Sequence, residues 1–403
     1  MQGNYSEVQA LLQPVLDNNP QDIAALNLMA NAQIRDGKAE QAIELFERIA
    51  DLQPDSPVAQ IRLGASLLMA GKGKAAEQHI EAAMELDPEY QQAEILRVMT
   101  LVKKGDIDAA VEAAEAYRRR NPVSVTPLHL LGRVYLTDNQ LEKARASFEK
   151  ALSLDPADIA ANHYLAQMAV SQDDLSTARK HYEAILAKNP NSMTALLELA
   201  ELDEKEQKEQ AMLGRLEQAM NAHPTALKPR LMLGRLYQSQ GRAERVPLLF
   251  SDLDDIQKRS PEVLTILALA QLSDKQHADA RYTLEQLVRS NPNAPSYHHL
   301  LAMAASQSGD NDRARIELGR ALALDENYLP SLVALARISL SEGETKDFEQ
   351  NLDRLIKVAP DAPDVLRLRA ASSQQQGDTD KAIELASTAQ SAAPTTRGMR
   401  ELA

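Results

Sequence analysis

The sequence predicts an all-α solenoid of antiparallel helix pairs, and three observations carry that prediction. Prolines recur at one constant interval, at Pro20, Pro54, Pro88, Pro122, Pro156, Pro190 and Pro224, then at Pro292, Pro360 and Pro394. Lys258 and Glu326 hold the two remaining places, and no residue is inserted or lost between the first mark and the last. A fixed period of a few dozen residues means stacked supersecondary units, each covering the apolar face of the next. The composition is helix-forming: Ala and Leu dominate, Trp is absent and Phe occurs 4 times, which leaves little of what strands favour. Small residues also recur at two fixed phases of the period, as a tight pair of helices requires.

With the proline at position 32, eleven full units begin at Ile23, Pro57, Gln91, Val125, Ile159, Met193, Leu227, Pro261, Pro295, Leu329 and Pro363. Residues 1–22 are then the second helix of an earlier unit, 23–396 the eleven units, and 397–403 the start of another. Position 8, on the first helix, is Gly or Ala in ten of the eleven, from Ala30, Gly64 and Gly132 to Ala370, with Val98 the exception. Position 20, on the second helix, is Ala in eight, including Ala42, Ala76 and Ala144. Bulk at either place would push the two helices apart.

Position 15 turns the chain between the helices. It carries Gly37, Gly71, Gly105, Gly241, Gly309, Gly343 and Gly377, with Gly3 in the partial unit and Asn139 in the fourth, all suited to a left-handed C′ residue. The proline ends the second helix by driving the residue before it out of the α region. Asp87-Pro88, Asn121-Pro122 and Asn291-Pro292 add turn and cap chemistry. The stretch 193–260 diverges: Gln207 and Lys258 replace the turn glycine and terminal proline, and Met212 and Val246 the position-20 alanine. Drift in a tolerant repeat accounts for this, with a bend or a partner site as the alternative. Met1 enters at position 13 and the chain leaves at position 7 without a polar cap at either end, so the sequence is expected to be a segment of a longer array.

Cysteine is absent, which excludes disulfides, thiolate metal sites and a cysteine nucleophile. No catalytic, cofactor or metal residues are assigned. The 8 histidines contain no i, i+4 ligand pair, and Gly71-Lys72-Gly73-Lys74 lacks the spacing of a phosphate loop and lies at the turn position. No apolar run approaches a membrane span, and Met1–Ser6 has no signal-peptide pattern, so the segment itself is expected to be soluble. A formal charge of −14 argues against nucleic-acid binding and favours a monomeric, dissolved array.

The fourth unit shows the pattern most fully, with Leu128, Leu131, Gly132, Tyr135, Asn139, Ala144, Phe148, Ala151 and Pro156 in register. It resembles the tetratricopeptide repeat, and the resemblance covers the whole chain. That resemblance implies a right-handed superhelix whose concave groove is lined by positions 2, 5, 6, 9, 12 and 13 of each first helix, where a protein or peptide partner would lie. Those positions hold Arg35, Arg62, Lys103, Arg133, Lys205, Lys228, Arg235, Arg337 and Arg367 against Glu198, Glu201, Glu204, Glu262 and Asp364. The excess of base predicts an anionic partner, unless it is a chance feature of a solvated face. His129 with Arg133, and His163 with Gln167, fall at positions 5 and 9 of adjacent units and form the most polar cluster. Tyr164 is the sole aromatic groove residue, which disfavours sugar stacking but leaves an anionic polysaccharide open. Asn27 and Asn31 echo a carboxylate clamp whose paired lysines are missing.

The runs Val98–Leu101, Lys104–Asp106, Arg145–Leu152, Ala195–Ala200 and Pro229–Tyr237 are similar to long tetratricopeptide lipoproteins of bacterial PEP-CTERM protein sorting and exopolysaccharide synthesis. The resemblance implies a lipid-anchored, periplasmic, outer-membrane-associated full-length protein acting as a non-enzymatic scaffold. A substrate-binding arm of a larger enzyme such as a glycosyltransferase, and a cytosolic assembly adaptor, are the alternatives.

Overall fold

The computed structural model describes residues 5–392, and every regular element among them is a helix. Met1, the turn glycine Gly3, the last recurrent proline Pro394 and the unit expected over 397–403 lie outside the described residues. The chain divides into two compact units, Met1–Ala195 and Leu196–Ala403.

In the first unit the helix Tyr5–Asn18 is followed by five helix pairs. These are Ile23–Arg35 with Ala39–Leu52, Pro57–Met69 with Gly73–Leu86, Gln91–Lys104 with Ile107–Arg120, Thr126–Thr137 with Leu141–Leu154, and Ile159–Ser171 with Leu175–Lys188. The second unit contains Glu209–Ala222, the irregular seventh repeat that opens with Leu227–Ser239, and four regular pairs. Those are Pro261–Ser273 with His277–Ser290, Pro295–Gln307 with Asn311–Leu324, Leu329–Ser341 with Thr345–Val358, and Pro363–Gln375 with Thr379–Ala392.

Most pairs pack through small residues at positions 8 and 20, with Val98 at position 8 of the third repeat and Phe348 at position 20 of the tenth as buried exceptions. Ala30, Ala42, Ala76, Ala144, Ala166, Ala268 and Ala280 are wholly buried. Gly132 shows how little room is left: a Cβ there would lie 2.4 Å from the Phe148 ring. Larger residues fill out the rest of the core, such as Ile43, Phe46 and Ile80 in the first unit and Leu284, Leu318 and Phe348 in the second.

The turn between paired helices is more uniform than the sequence is. All eleven position-15 residues are left-handed, with φ from 56° at Asn139 to 86° at Gly309. Asp173, Gln207 and Lys275 adopt the conformation with no glycine and no asparagine to ease it. The next amide reaches back around the turn in each case, as Lys38 N–H does to Gln33 O and Gln140 N–H to Tyr135 O, both 2.8 Å, the hydrogen bond of a Schellman stop.

At the other end of the repeat the second helix closes at position 30, two residues before the proline, as at Leu52, Leu86 and Leu154. Position 31 lies outside the α region, with φ −134° at Gln53 and −135° at Asp155, as a residue ahead of proline is driven to be. Where Glu326 replaces the proline the helix still stops at Leu324. Asp22, Ser56 and Asp158 then cap the following helix, accepting from the amides of Ala25, Ala59 and Ala161.

A second contact recurs at this border. The main-chain oxygens of Pro20, Pro54, Pro88, Pro156, Pro224, Pro292, Glu326 and Pro360 accept hydrogen bonds, in that order, from Arg48, Gln60, Arg120, Asn162, Arg230, His298, Arg354 and Arg369. Every donor lies in the repeat that follows the border. Tying off a carbonyl of the loop between repeats contributes about 1 kcal/mol each.

The seventh repeat departs from pairing, and the cause is Pro247. It stands at the fifth residue of what would be the second helix, where its ring would meet the carbonyl of Ala243 and no N–H is available for the helical ladder. The segment becomes two short 3-10 turns, Ala243–Arg245 and Pro247–Phe250, and a single helical turn, Asp255–Lys258. Val246, Phe250 and Leu253 remain buried at positions 20, 24 and 27. Arg230, 3% exposed, supplies what the lost ladder would have given. Its guanidinium donates to Leu249 O, to Pro224 O at 2.7 Å, and to both Asp252 carboxylate oxygens at 2.8 and 3.0 Å. That contact holds the Asp252 carboxyl below its ordinary range.

Candidate functional site

Positions 2, 6, 9 and 13 of a first helix form one stripe at 3.6 residues per turn, and in this protein much of that stripe faces solvent, although position 6 is buried at Leu96, Leu130, Met232, Ile266 and Leu368. Within the first unit it carries four exposed cations, Arg35, Arg62, Lys103 and Arg133, and no acidic residue. Arg62 crosses to the preceding first helix and donates to Asn27 Oδ1, and Lys103 Nζ donates to Leu68 O, so both heads stay on the face. Between them lie apolar side chains that the structure leaves open: Leu28 at 57% exposure, Val58 at 41%, Met69 at 65% and Met99 at 41%.

The same positions in the second unit hold as many acids as bases, and several are paired. Lys228 Nζ lies 3.2 Å from Glu201. Arg337 and Arg367 both bond Asp364 Oδ1, at 2.7 and 3.0 Å. Arg235 and Lys205 are exposed. The positive excess counted over the whole sequence therefore belongs to the first unit.

The polar cluster expected around His129 separates into two kinds of residue. His129 Nε2 lies 2.8 Å from Asp158 Oδ1, and the same oxygen accepts from Ala161 N–H at 2.7 Å, so this histidine clamps the cap of the next repeat. Tyr164 is half-buried and stacks on Phe148, with centroids 4.7 Å apart and planes 12° from parallel. One of its faces is already used. His163 is half-buried edge-on to Tyr164 and beside Tyr182, while Arg133 and Gln167 remain exposed.

Burial also lowers the basicity of three histidines. His79 and His181 are pushed below the ordinary range by desolvation, each bonded to a position-4 amide, Gln60 at 2.7 Å and Asn162 at 2.8 Å. His299, against Ser331 and Tyr328, is lowered by burial to about 4. All three are neutral at pH 7 and add no charge to either face. Sequence reasoning missed the apolar part of the stripe, although Leu28, Val58, Met69 and Met99 occupy stripe positions and were findable by scanning those positions for large apolar residues.

Two tetratricopeptide repeat family models match the chain, one over residues 1–65, 135–202 and 305–371 and the other over 95–159 and 266–329. The chain belongs to the tetratricopeptide repeat family. Repeats of this family generally bind proteins or peptides and generally form non-catalytic scaffolds. Among solved structures the chain is similar to a tetratricopeptide repeat protein from Parabacteroides merdae, at 18% identity over 66% of this chain and 99% of that one, with a TM-score of 0.41. It is also similar to YrrB, described as having an unusual peptide-binding site, at 14% identity over 46% and 96%, TM-score 0.40. MamA from Desulfovibrio magneticus RS-1 is similar at 24% identity over 42% and 97%, TM-score 0.33. No match is found among curated proteins. Among the described residues no group of three or more His, Asp or Glu is placed to hold a metal ion, and no helix is long and apolar enough to cross a membrane.

Proposed function

We propose that this tetratricopeptide array is a non-enzymatic scaffold that captures an acidic, partly apolar segment of a protein partner on the first-helix stripe of residues 23–171. The observation that carries the reading is the stripe itself, four cations with no acid among them and four exposed apolar side chains between. Cations without counter-charges draw an anionic partner from a distance and fix its register. Leu28, Met69 and Met99 give affinity through desolvated apolar contact, and methionine suits a surface that adapts to its ligand. An anionic polysaccharide would use the cations and leave the apolar residues idle, so the protein partner is the better fit. Arg133, His163, Tyr164 and Gln167 continue the stripe, with His129 holding its border. Lys228, Arg235, Arg337 and Arg367 belong to the corresponding first helices of the second unit, where acids offset them.

The setting proposed for this scaffold is bacterial exopolysaccharide export with PEP-CTERM sorting, as a periplasmic lipoprotein at the outer membrane. It rests on the residue runs given above and on no feature of the stripe. The binding reading is tested with fluorescein-labelled peptides of alternating Glu and Leu, read by anisotropy at low and high salt. Arg35→Glu with Arg133→Glu is expected to weaken binding at least about tenfold, and Lys228→Glu with Arg235→Glu by under about twofold. Equal losses from the two pairs, or equal affinity for polygalacturonate, would overturn it.

A further inference from the structure

An oxidant meeting this chain has one kind of soft target. Cysteine and tryptophan are absent, so no thiol or indole competes and the methionine thioethers are the side chains most open to peroxide. Of the 12 methionines, Met1 and Met399 lie outside the described residues. Met29, Met168, Met212 and Met232 are buried in the core. Met84, Met193, Met220 and Met303 are half-buried. Among the described residues only Met69 and Met99 are exposed, and both stand on the first-helix stripe, at position 13 of the second repeat and position 9 of the third.

Lys103 serves both of them. It follows Met99 by one turn on the same helix, and its ammonium donates to Leu68 O, one peptide unit from Met69. The two thioethers therefore share a cation that the stripe would offer to an acidic partner.

We infer that Met69 and Met99 are a modification site, oxidised by peroxide to sulfoxides, and that this oxidation releases the partner segment from the stripe; the inference rests on the binding reading above. In the step a lone pair of Sδ attacks one oxygen of hydrogen peroxide. The S–O bond forms as the O–O bond breaks, and the departing hydroxide takes the proton of the transferred oxygen and leaves as water. Sulfur is oxidised and peroxide reduced. The product replaces a flexible apolar side chain by a polar one, which removes the desolvated contact that methionine gives a binding surface. The sulfoxide oxygen is also a hydrogen-bond acceptor beside Lys103, so it competes with the partner's carboxylate for that ammonium. Both changes weaken capture. Reduction by two thiols through a sulfoxide reductase returns the thioether and gives a disulfide and water, so the switch is reversible.

The test uses the full chain and the labelled Glu and Leu peptide, with anisotropy read before and after brief hydrogen peroxide treatment. Peptide mass mapping locates the sulfoxides, and helicity shows that the chain stays folded. Met69 and Met99 are expected to oxidise at least about fivefold faster than Met84 or Met303, and affinity to fall at least about fivefold. Sulfoxide reductases acting on both epimers, with dithiothreitol, should restore it. A chain carrying Met69→Leu with Met99→Leu should bind equally before and after peroxide, whatever its starting affinity. Affinity that survives full oxidation of both residues, an equal loss in the leucine variant, or oxidation no faster than at Met84 and Met303 would overturn the inference and leave the binding reading standing. An untreated chain that holds no peptide would overturn both.

Discussion

The fourth and seventh repeats are equal in length and reach the same end by different means. In the fourth, two regular helices meet with Gly132 pressed against Phe148, and Asn139 takes the left-handed turn. In the seventh, Gly234 faces Ile266 and Gly241 turns the chain, but Pro247 removes the second helix. What survives is the set of buried side chains at positions 20, 24 and 27 and the hydrogen-bonded border. The repeat is defined by what it buries and by where its carbonyls go, and helical regularity is the usual but not the required way to provide both.

That contrast can be broken at its widest point by removing Arg230. Arg230→Ala strands the carbonyls of Leu249 and Pro224 and leaves a gap where a long side chain was buried. A loss of about 3 kcal/mol is expected, seen as early hydrogen exchange over residues 243–260 while 125–158 keeps its protection. Uniform loss of protection across both repeats would show that the seventh is not held locally.

Gly132→Ala tests the fourth repeat. Its Cβ would strike a wholly buried Phe148 ring that is itself stacked on Tyr164, and overpacking of this kind costs about 1–3 kcal/mol. Gly64→Ala, whose Cβ would lie 3.3 Å from Ala76 O and 3.4 Å from Ile80, should cost less than half as much in chemical denaturation. Equal costs would mean that the close approach at Gly132 relaxes freely.

The smallest effect concerns the turn that both repeats share. Gln207→Gly and Lys275→Gly should each stabilise the chain by about 0.5–1 kcal/mol by relieving a left-handed residue with a Cβ. Gly71→Ala should destabilise it by a similar amount, although open space surrounds that glycine. A stabilising Gly71→Ala would show that the turn is not strained.

The sequence made the repeat legible because its strongest constraints are local. A glycine that must be left-handed, a proline that must end a helix and a small residue at a tight crossing each leave a residue-type mark. Asp173, Gln207 and Lys275 left none, because there the packed hairpin imposes the conformation on residues that do not prefer it. Pro247 did leave a mark, at a position where a proline cannot continue a helix, and reading Val246 and Lys258 as drift passed over it. The candidate site was half legible. Charge can be counted position by position, but whether Arg337 and Arg367 are free depends on Asp364 reaching both, and that is a matter of distance. Met69 and Leu28 look like core residues in a sequence, since only exposure distinguishes them.

The bonded borders also bear on how such a chain can grow. At the eight bonded borders the acceptor is a main-chain oxygen, present whatever the residue, and the donor comes from the repeat on its C-terminal side. A unit copied or moved in whole periods carries its own fastening with it and asks nothing of the side chains it lands behind. Lengthening the array by gene duplication is then neutral at the joint, so the number of repeats is free to follow the size of what the protein must hold.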